Sequence, residues 1–144
     1  MANKKSQARH YAVQAIYQWQ MNGQDIRDIR EVHDQFLAEQ DKSGFDVHYF
    51  DALLQGVSSN LETLDQQLKP CLDRSIESVD PVERAILRLG AFEMIHRMDV
   101  PYRVIINEAV ELAKVFGAEQ GHRFVNGVLD KLAKQSRKVE MGRR

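Results

Sequence analysis

Gln120, His122, Arg123, Phe124 and Asn126 fall within two helical turns of one another. Together they hold the groups that read a nucleic acid. An aromatic ring can stack on a base, and an amide can bond a base edge. Cations at a helix start meet phosphate with the help of free backbone N–H groups and the positive end of the helix dipole. Each residue also has a packing reading. Phe124 precedes the apolar Val125 and fits a core as well as a stack, and Asn126 fits a helix cap. Gly127 is expected to let a neighbouring helix approach the backbone closely. Lys4, Lys5 and Arg9 form a second set, in a 20-residue N-terminal stretch with no acid. They suit phosphate contacts, which fix register without specifying sequence, or else a solvated basic terminus.

Motifs of catalysis are missing. The chain holds no G-x-S-x-G, no P-loop, no G-x-G-x-x-G and no H-E-x-x-H. His10, His33, His48, His96 and His122 show no metal-ligand spacing. The lone Cys71 excludes an intramolecular disulfide and a cysteine metal cluster. Beside Pro70 and Leu72 it reads as a buried, inert thiol. The expectation is a binding protein, not an enzyme, with no cofactor and no metal.

Net charge is −1 over 144 residues, but it is unevenly spread: +3 over residues 1–20, −8 over 21–80 and +4 over 81–144. Basic ends flanking an acidic middle suggest a polyanion, RNA or DNA. No apolar run approaches the ~20 residues of a membrane span. The N-terminus lacks the apolar stretch of a signal peptide, and one free thiol fits a reducing cytoplasm.

Helices must position these groups. Ala8, Ala12, Ala15, Ile16 and Trp19 keep a 3.6-residue period, predicting a helix from Lys5 to Met21 that Asn22-Gly23 ends. A second helix is expected over Ile26–Glu39, with Ile26, Ile29, Val32, Phe36 and Leu37 inward. Val47, Phe50, Leu54, Val57, Leu61, Leu64 and Leu68 form a heptad seam, read as one long core helix or as a coiled-coil dimer. Asp80-Pro81-Val82-Glu83 predicts a helix start with a capping box, continuing to His96. Residues 100–106 alternate like a strand, but Ile105, Ala109, Leu112 and Phe116 favour a helix. Gly117 is expected as a left-handed cap. A last helix follows over Gln120–Gln135, then a frayed basic tail, Arg137–Arg144. The class is all-α, one domain with an N-terminal helical half to about residue 78 and a C-terminal half over about 79–140 sharing its core.

Four blocks resemble the NusB family of bacterial transcription antitermination factors. They are Ala8-Arg9 through Ala12–Tyr17 to Trp19, then Leu53–Val57, then Val82–Gly90 with Glu93, and finally Val100–Asp130. The resemblance implies six to seven helices in two packed bundles. It implies binding of single-stranded boxA-type RNA of ribosomal RNA transcripts, together with NusE, a small-subunit ribosomal protein. The pair then joins the antitermination complex on RNA polymerase. On this reading Lys4, Lys5, Arg9, Gln120, His122, Arg123, Phe124 and Asn126 contact RNA, and Tyr17, Glu83, Arg84, Leu87 and Tyr102 contact NusE. Ser6-Gln7 stand where the family carries a dense arginine run, and the nearby lysines lack arginine's planar fork. Two alternatives are an RNA-binding accessory of a ribosomal-RNA-modifying system and a helical dimerisation protein.

Overall fold

A computed structural model describes residues 3–142, and the described residues form eight α-helices and no strand. The helices fall into two compact units, one up to Asn60 and one from Leu61 onward.

In the first unit, α1 (Lys4–Met21) starts where the Asn3 side chain accepts the Ser6 N–H at 2.7 Å. It ends at a turn in which Gly23 and Gln24 both take positive φ. The Trp19 indole N–H donates to the Asp25 carbonyl at 2.7 Å, closing that turn over the core. Asp25 in turn accepts the Arg27 N–H and holds Ile26–Asp28 in a 3-10 turn. The expected second helix is therefore shorter, α2 (Ile29–Glu39), and Ile26 is exposed instead of inward. α3 (Val47–Ser59) is capped by Asp46, which accepts the Tyr49 N–H at 2.9 Å. These three helices pack on one another around Ala8, Ala12, Ile16, Trp19, Phe50 and Leu53.

The seam helix is not continuous. It breaks at Asn60, whose side-chain amide donates to the Gly56 carbonyl at 2.7 Å, while the Ser58 hydroxyl donates to Leu54 O at 2.8 Å. Short polar side chains here bind the carbonyls that a continuing helix would use. Phe50, Leu54, Val57, Leu64 and Leu68 are fully buried by the chain's own residues. Val47 and Leu61 are only partly covered, so most of the seam, though not all of it, is used inside the chain and not between copies.

The second unit holds α4 (Leu61–Leu68), α5 (Pro81–His96), α6 (Tyr102–Phe116), α7 (Gly121–Ser136) and α8 (Lys138–Met141). α5, α6 and α7 pack mutually, and α4 lies on α5. Asp80 caps α5 as expected, accepting from the Val82 and Glu83 N–H groups at 2.9 and 3.3 Å. The alternation at 100–106 is not a strand; helix begins at Tyr102, with Ile105, Ala109 and Leu112 inward. Gly117 is extended, not left-handed (φ −90°, ψ −179°). A Cβ there would lie 2.8 Å from the Ala113 carbonyl oxygen, so close approach is what selects glycine.

The expected frayed tail is docked as far as the description reaches; Arg143 and Arg144 lie outside the described residues. Arg137 is fully buried. Its guanidinium donates to Met94 O (2.8 Å), Val100 O (2.9 Å), Glu93 O (3.2 Å) and Arg97 O (2.9 Å). It also pairs with the Glu140 carboxylate. Of these, Met94 O is left open where α5 ends, whereas Glu93 O and Arg97 O also accept the backbone N–H groups of Arg97 and Val100. Burial alone pushes the Glu140 carboxyl up, but bonds from the Tyr102 N–H and Arg137 bring it below its usual range.

Candidate nucleic-acid interface

The N-terminal basic set divides by burial. Lys4 and Lys5 are exposed on the first turn of α1. Arg9, one turn on from Lys5, is only 3% exposed and lies on the α3 side of the helix. Its guanidinium sits 5.3 Å from the Tyr49 ring centroid, and the Lys5 ammonium sits 5.2 Å from the same ring. Arg9 is thus a packing cation held by an aromatic face, not an open phosphate contact as the sequence suggested. Tyr17, farther along α1, is 38% exposed.

In the second unit, the turn after Gly117 and the first turn of α7 carry the other set. Gln120 and Arg123 are exposed, and His122 is half-buried. No side chain caps α7 and no acid of its own occupies its first turn, but the Glu83 carboxylate of α5 packs against Gly121 and partly offsets the positive helix start. Phe124 is half-buried. One face carries the Arg74 guanidinium, 4.7 Å from the ring centroid. Both sequence readings of Phe124 are thereby modified: the ring is neither a free platform nor a core filler. Asn126 is exposed within α7 and caps nothing.

Two glycines flank this set differently. Gly127 has open space where a side chain would go, so no neighbouring helix explains it, contrary to expectation. Gly121 is buried, and a Cβ there would collide with the Glu83 carboxylate, lying 2.8 Å from its Cδ.

Glu83 does not close the expected capping box. It is 8% exposed, and its carboxylate accepts the Ala118 N–H in the turn before α7. Burial raises its pKa above the ordinary carboxylate value and the nearby Asp80 charge adds to this, while the Ala118 N–H and Arg74 partly offset both. Leu87 has no exposed surface and Tyr102 has little, so both serve packing rather than a partner surface. Helix α5 turns that side of itself toward its neighbours in the unit, which the apolar spacing alone could not distinguish from an outward face. Arg84 is half-buried, donating to the Glu77 carbonyl at 3.4 Å.

Arg74 escaped sequence reasoning. It lies in an irregular stretch between helices, where no periodicity assigns a side chain to a face. Asp73 holds its guanidinium with bonds of 2.8 and 3.3 Å. Cys71 is buried, and burial pushes its thiol up. No group of three or more His, Cys, Asp or Glu among the described residues could hold a metal.

The architecture is that of an all-α protein whose candidate contacts lie on helix ends and exposed helix faces. Residues 6–134 match the NusB family. The chain is 55% identical over 140 residues to the transcription antitermination protein NusB of Alcanivorax borkumensis, covering 97% of this chain and 91% of that protein. It is 54% identical over 130 residues to the corresponding protein of Shewanella amazonensis, covering 90% and 95%. Among solved structures it resembles T. maritima NusB, with a TM-score of 0.77 and 27% identity over 93% of each chain. It also resembles a chain in a crystal structure of antitermination factors NusB and NusE in complex with dsRNA, with a TM-score of 0.78, 27% identity, and 94% and 99% coverage. The chain belongs to the NusB family of transcription antitermination proteins.

Proposed function

We propose that this chain binds boxA-type RNA of ribosomal RNA transcripts together with NusE, and so helps assemble the antitermination complex on RNA polymerase. It does so in the cytoplasm and without catalysis. The observation that carries the reading is the likeness, over 94% of the chain, to a structure of NusB and NusE with RNA. Lys4 and Lys5 supply phosphate contacts from the first unit. In the second, Gln120, His122, Arg123 and Asn126 contact the RNA, with Arg74 added and Arg9 removed. Phe124 offers its remaining face to a base, and the stacked Arg74 guanidinium stiffens that platform. For NusE, Tyr17 offers an exposed aromatic contact and Arg84 a half-exposed guanidinium. Glu83, Leu87 and Tyr102 serve the fold.

The RNA in the related structure is double-stranded, whereas a half-open ring suits an unpaired base. A gel-shift series tests both points. Single-stranded boxA RNA, its scrambled counterpart and a duplex of the same sequence are compared, each with and without NusE. Preference for single-stranded boxA, strengthened by NusE, is the expected result. Equal binding of scrambled RNA would remove the boxA assignment.

A further inference from the structure

The turn from Gly117 to Gln120 presents exposed residues and leads straight into the first turn of α7. Its backbone bonds are local: Gly117 N–H to Ala113 O at 2.8 Å, and Gly121 N–H to Ala118 O at 2.9 Å. Glu83, from the start of α5, supplies the side-chain bond that crosses to it. Its carboxylate lies under the turn, accepts the Ala118 N–H and occupies the space that a side chain at Gly121 would need. The same carboxylate attracts Arg74, the cation stacked on Phe124. One buried acid therefore touches the turn directly and the Arg74–Phe124 stack through charge.

We infer that Glu83 is a positioning residue for RNA: it holds the turn before α7 and the Arg74–Phe124 stack in their binding arrangement, and Gly121 is glycine to admit its carboxylate. The inference rests on the RNA reading above and goes further, naming what preorganises the surface. Holding a loop in its bound shape before the ligand arrives lowers the ordering cost of binding. The groups facing the carboxylate are Asp80 at the α5 cap, Arg74 before α5, and the Ala118 N–H. His122 follows Gly121 on α7.

Two variants act on this strut from opposite sides. Gly121→Ala places a methyl group where the carboxylate lies. The clash is with the free end of a flexible side chain, so the carboxylate swings away and the fold survives. Glu83→Gln keeps an oxygen for the Ala118 N–H but removes the charge. Amide NMR and fluorescence-anisotropy titration with boxA RNA are run on the full chain. In the unaltered protein the Ala118 amide resonance should titrate with pH above the ordinary glutamate range. Gly121→Ala should abolish that titration, keep the fold and weaken RNA binding about tenfold, the scale of one stacked base. Glu83→Gln should abolish the titration and weaken RNA binding by less than Gly121→Ala does, because it keeps the contact to the turn and loses only the attraction for Arg74. The double variant Gly121→Ala/Glu83→Ala should bind RNA no worse than Glu83→Ala alone, because the colliding partner is gone.

An Ala118 resonance indifferent to pH in the unaltered chain would overturn the contact. A Gly121→Ala variant with the titration lost and RNA affinity unchanged would overturn the positioning role. If the unaltered chain bound no RNA, the RNA reading itself would fall and the positioning role with it, while the Ala118 titration would still report the contact.

Discussion

Replacing Arg137 by alanine tests the buried clamp at the end of α5. The side chain is fully enclosed and donates to four backbone carbonyls as well as pairing with Glu140. Its removal takes the donor from Met94 O and Val100 O, while Glu93 O and Arg97 O keep the backbone N–H groups of Arg97 and Val100, and it opens a cavity the length of an arginine stem. A hydrogen bond to a charged group contributes about 1.5–3 kcal/mol, but bonds from one planar fork do not add independently. Breaking one side of a buried ionic network costs about 3–5 kcal/mol, and that range is the expected loss for Arg137→Ala. In a protein of this size it corresponds to a fall of roughly 6–20 °C in melting temperature, at about 2–4 °C per kcal/mol. Arg137→Lys should recover little of it, because an ammonium cannot reach carbonyls of Glu93, Met94, Arg97 and Val100 at once. Far-UV circular dichroism during urea unfolding measures the change, with the slope of the transition checked for constancy. A loss below about 1 kcal/mol, the size of a surface ion pair, would refute the clamp argument.

Gly127→Ala should raise stability by up to about 1 kcal/mol, since the position is helical, exposed and sterically open; thermal unfolding checks this. Phe124→Ala should weaken RNA binding by about 1–3 kcal/mol in a fluorescence titration. Its effect on stability should stay below the ~3–5 kcal/mol of a fully buried phenylalanine. RNA affinity should fall with salt at a log–log slope of about −0.7 per phosphate contacted; a flat response would remove the lysines and arginines from the interface. The raised Glu83 pKa fixes a sign for stability against pH. The folded state holds the Glu83 proton more tightly than the unfolded chain does. Its contribution is therefore fully present below the ordinary glutamate value and is lost as pH rises through the higher folded value. Glu83→Gln should remove that decline, and denaturant titrations at a series of pH values would show it.

Two helix boundaries were legible in the sequence. Asn22-Gly23 and Asp80-Pro81 mark boundaries by local chemistry that needs no tertiary partner, and both stand in the structure. The break at Asn60 was not legible. The 3-4 spacing of apolar residues runs straight through it, and periodicity records which side is buried, not whether the axis continues. Arg137 was misread for a related reason. In sequence it belongs to a basic tail, and its burial depends on carbonyls some 40 residues away that only the folded chain brings to it. The candidate sites show the same limit. The residues around Phe124 could be found by type, but the stacked Arg74 and the glutamate beneath Gly121 are products of packing. Leu87 and Tyr102 were placed on a partner surface by the resemblance alone, and their burial shows only once the helices are packed.

Trp19 is the chain's one tryptophan, and it lies in the first unit with its indole N–H bonded to the Asp25 carbonyl. Its emission is consequently a private optical reporter: excitation at the red edge of indole absorption illuminates the helices up to Asn60 and leaves the rest of the chain dark. Far-UV ellipticity sums over every helix. Overlaying the two signals across a single melt tells whether the halves come apart in concert or in sequence, with no label attached to either. The same fluorophore, on the helix that carries Lys4 and Lys5 but toward its other end, gives titrations a signal that dye-labelled RNA cannot, because it comes from the protein alone.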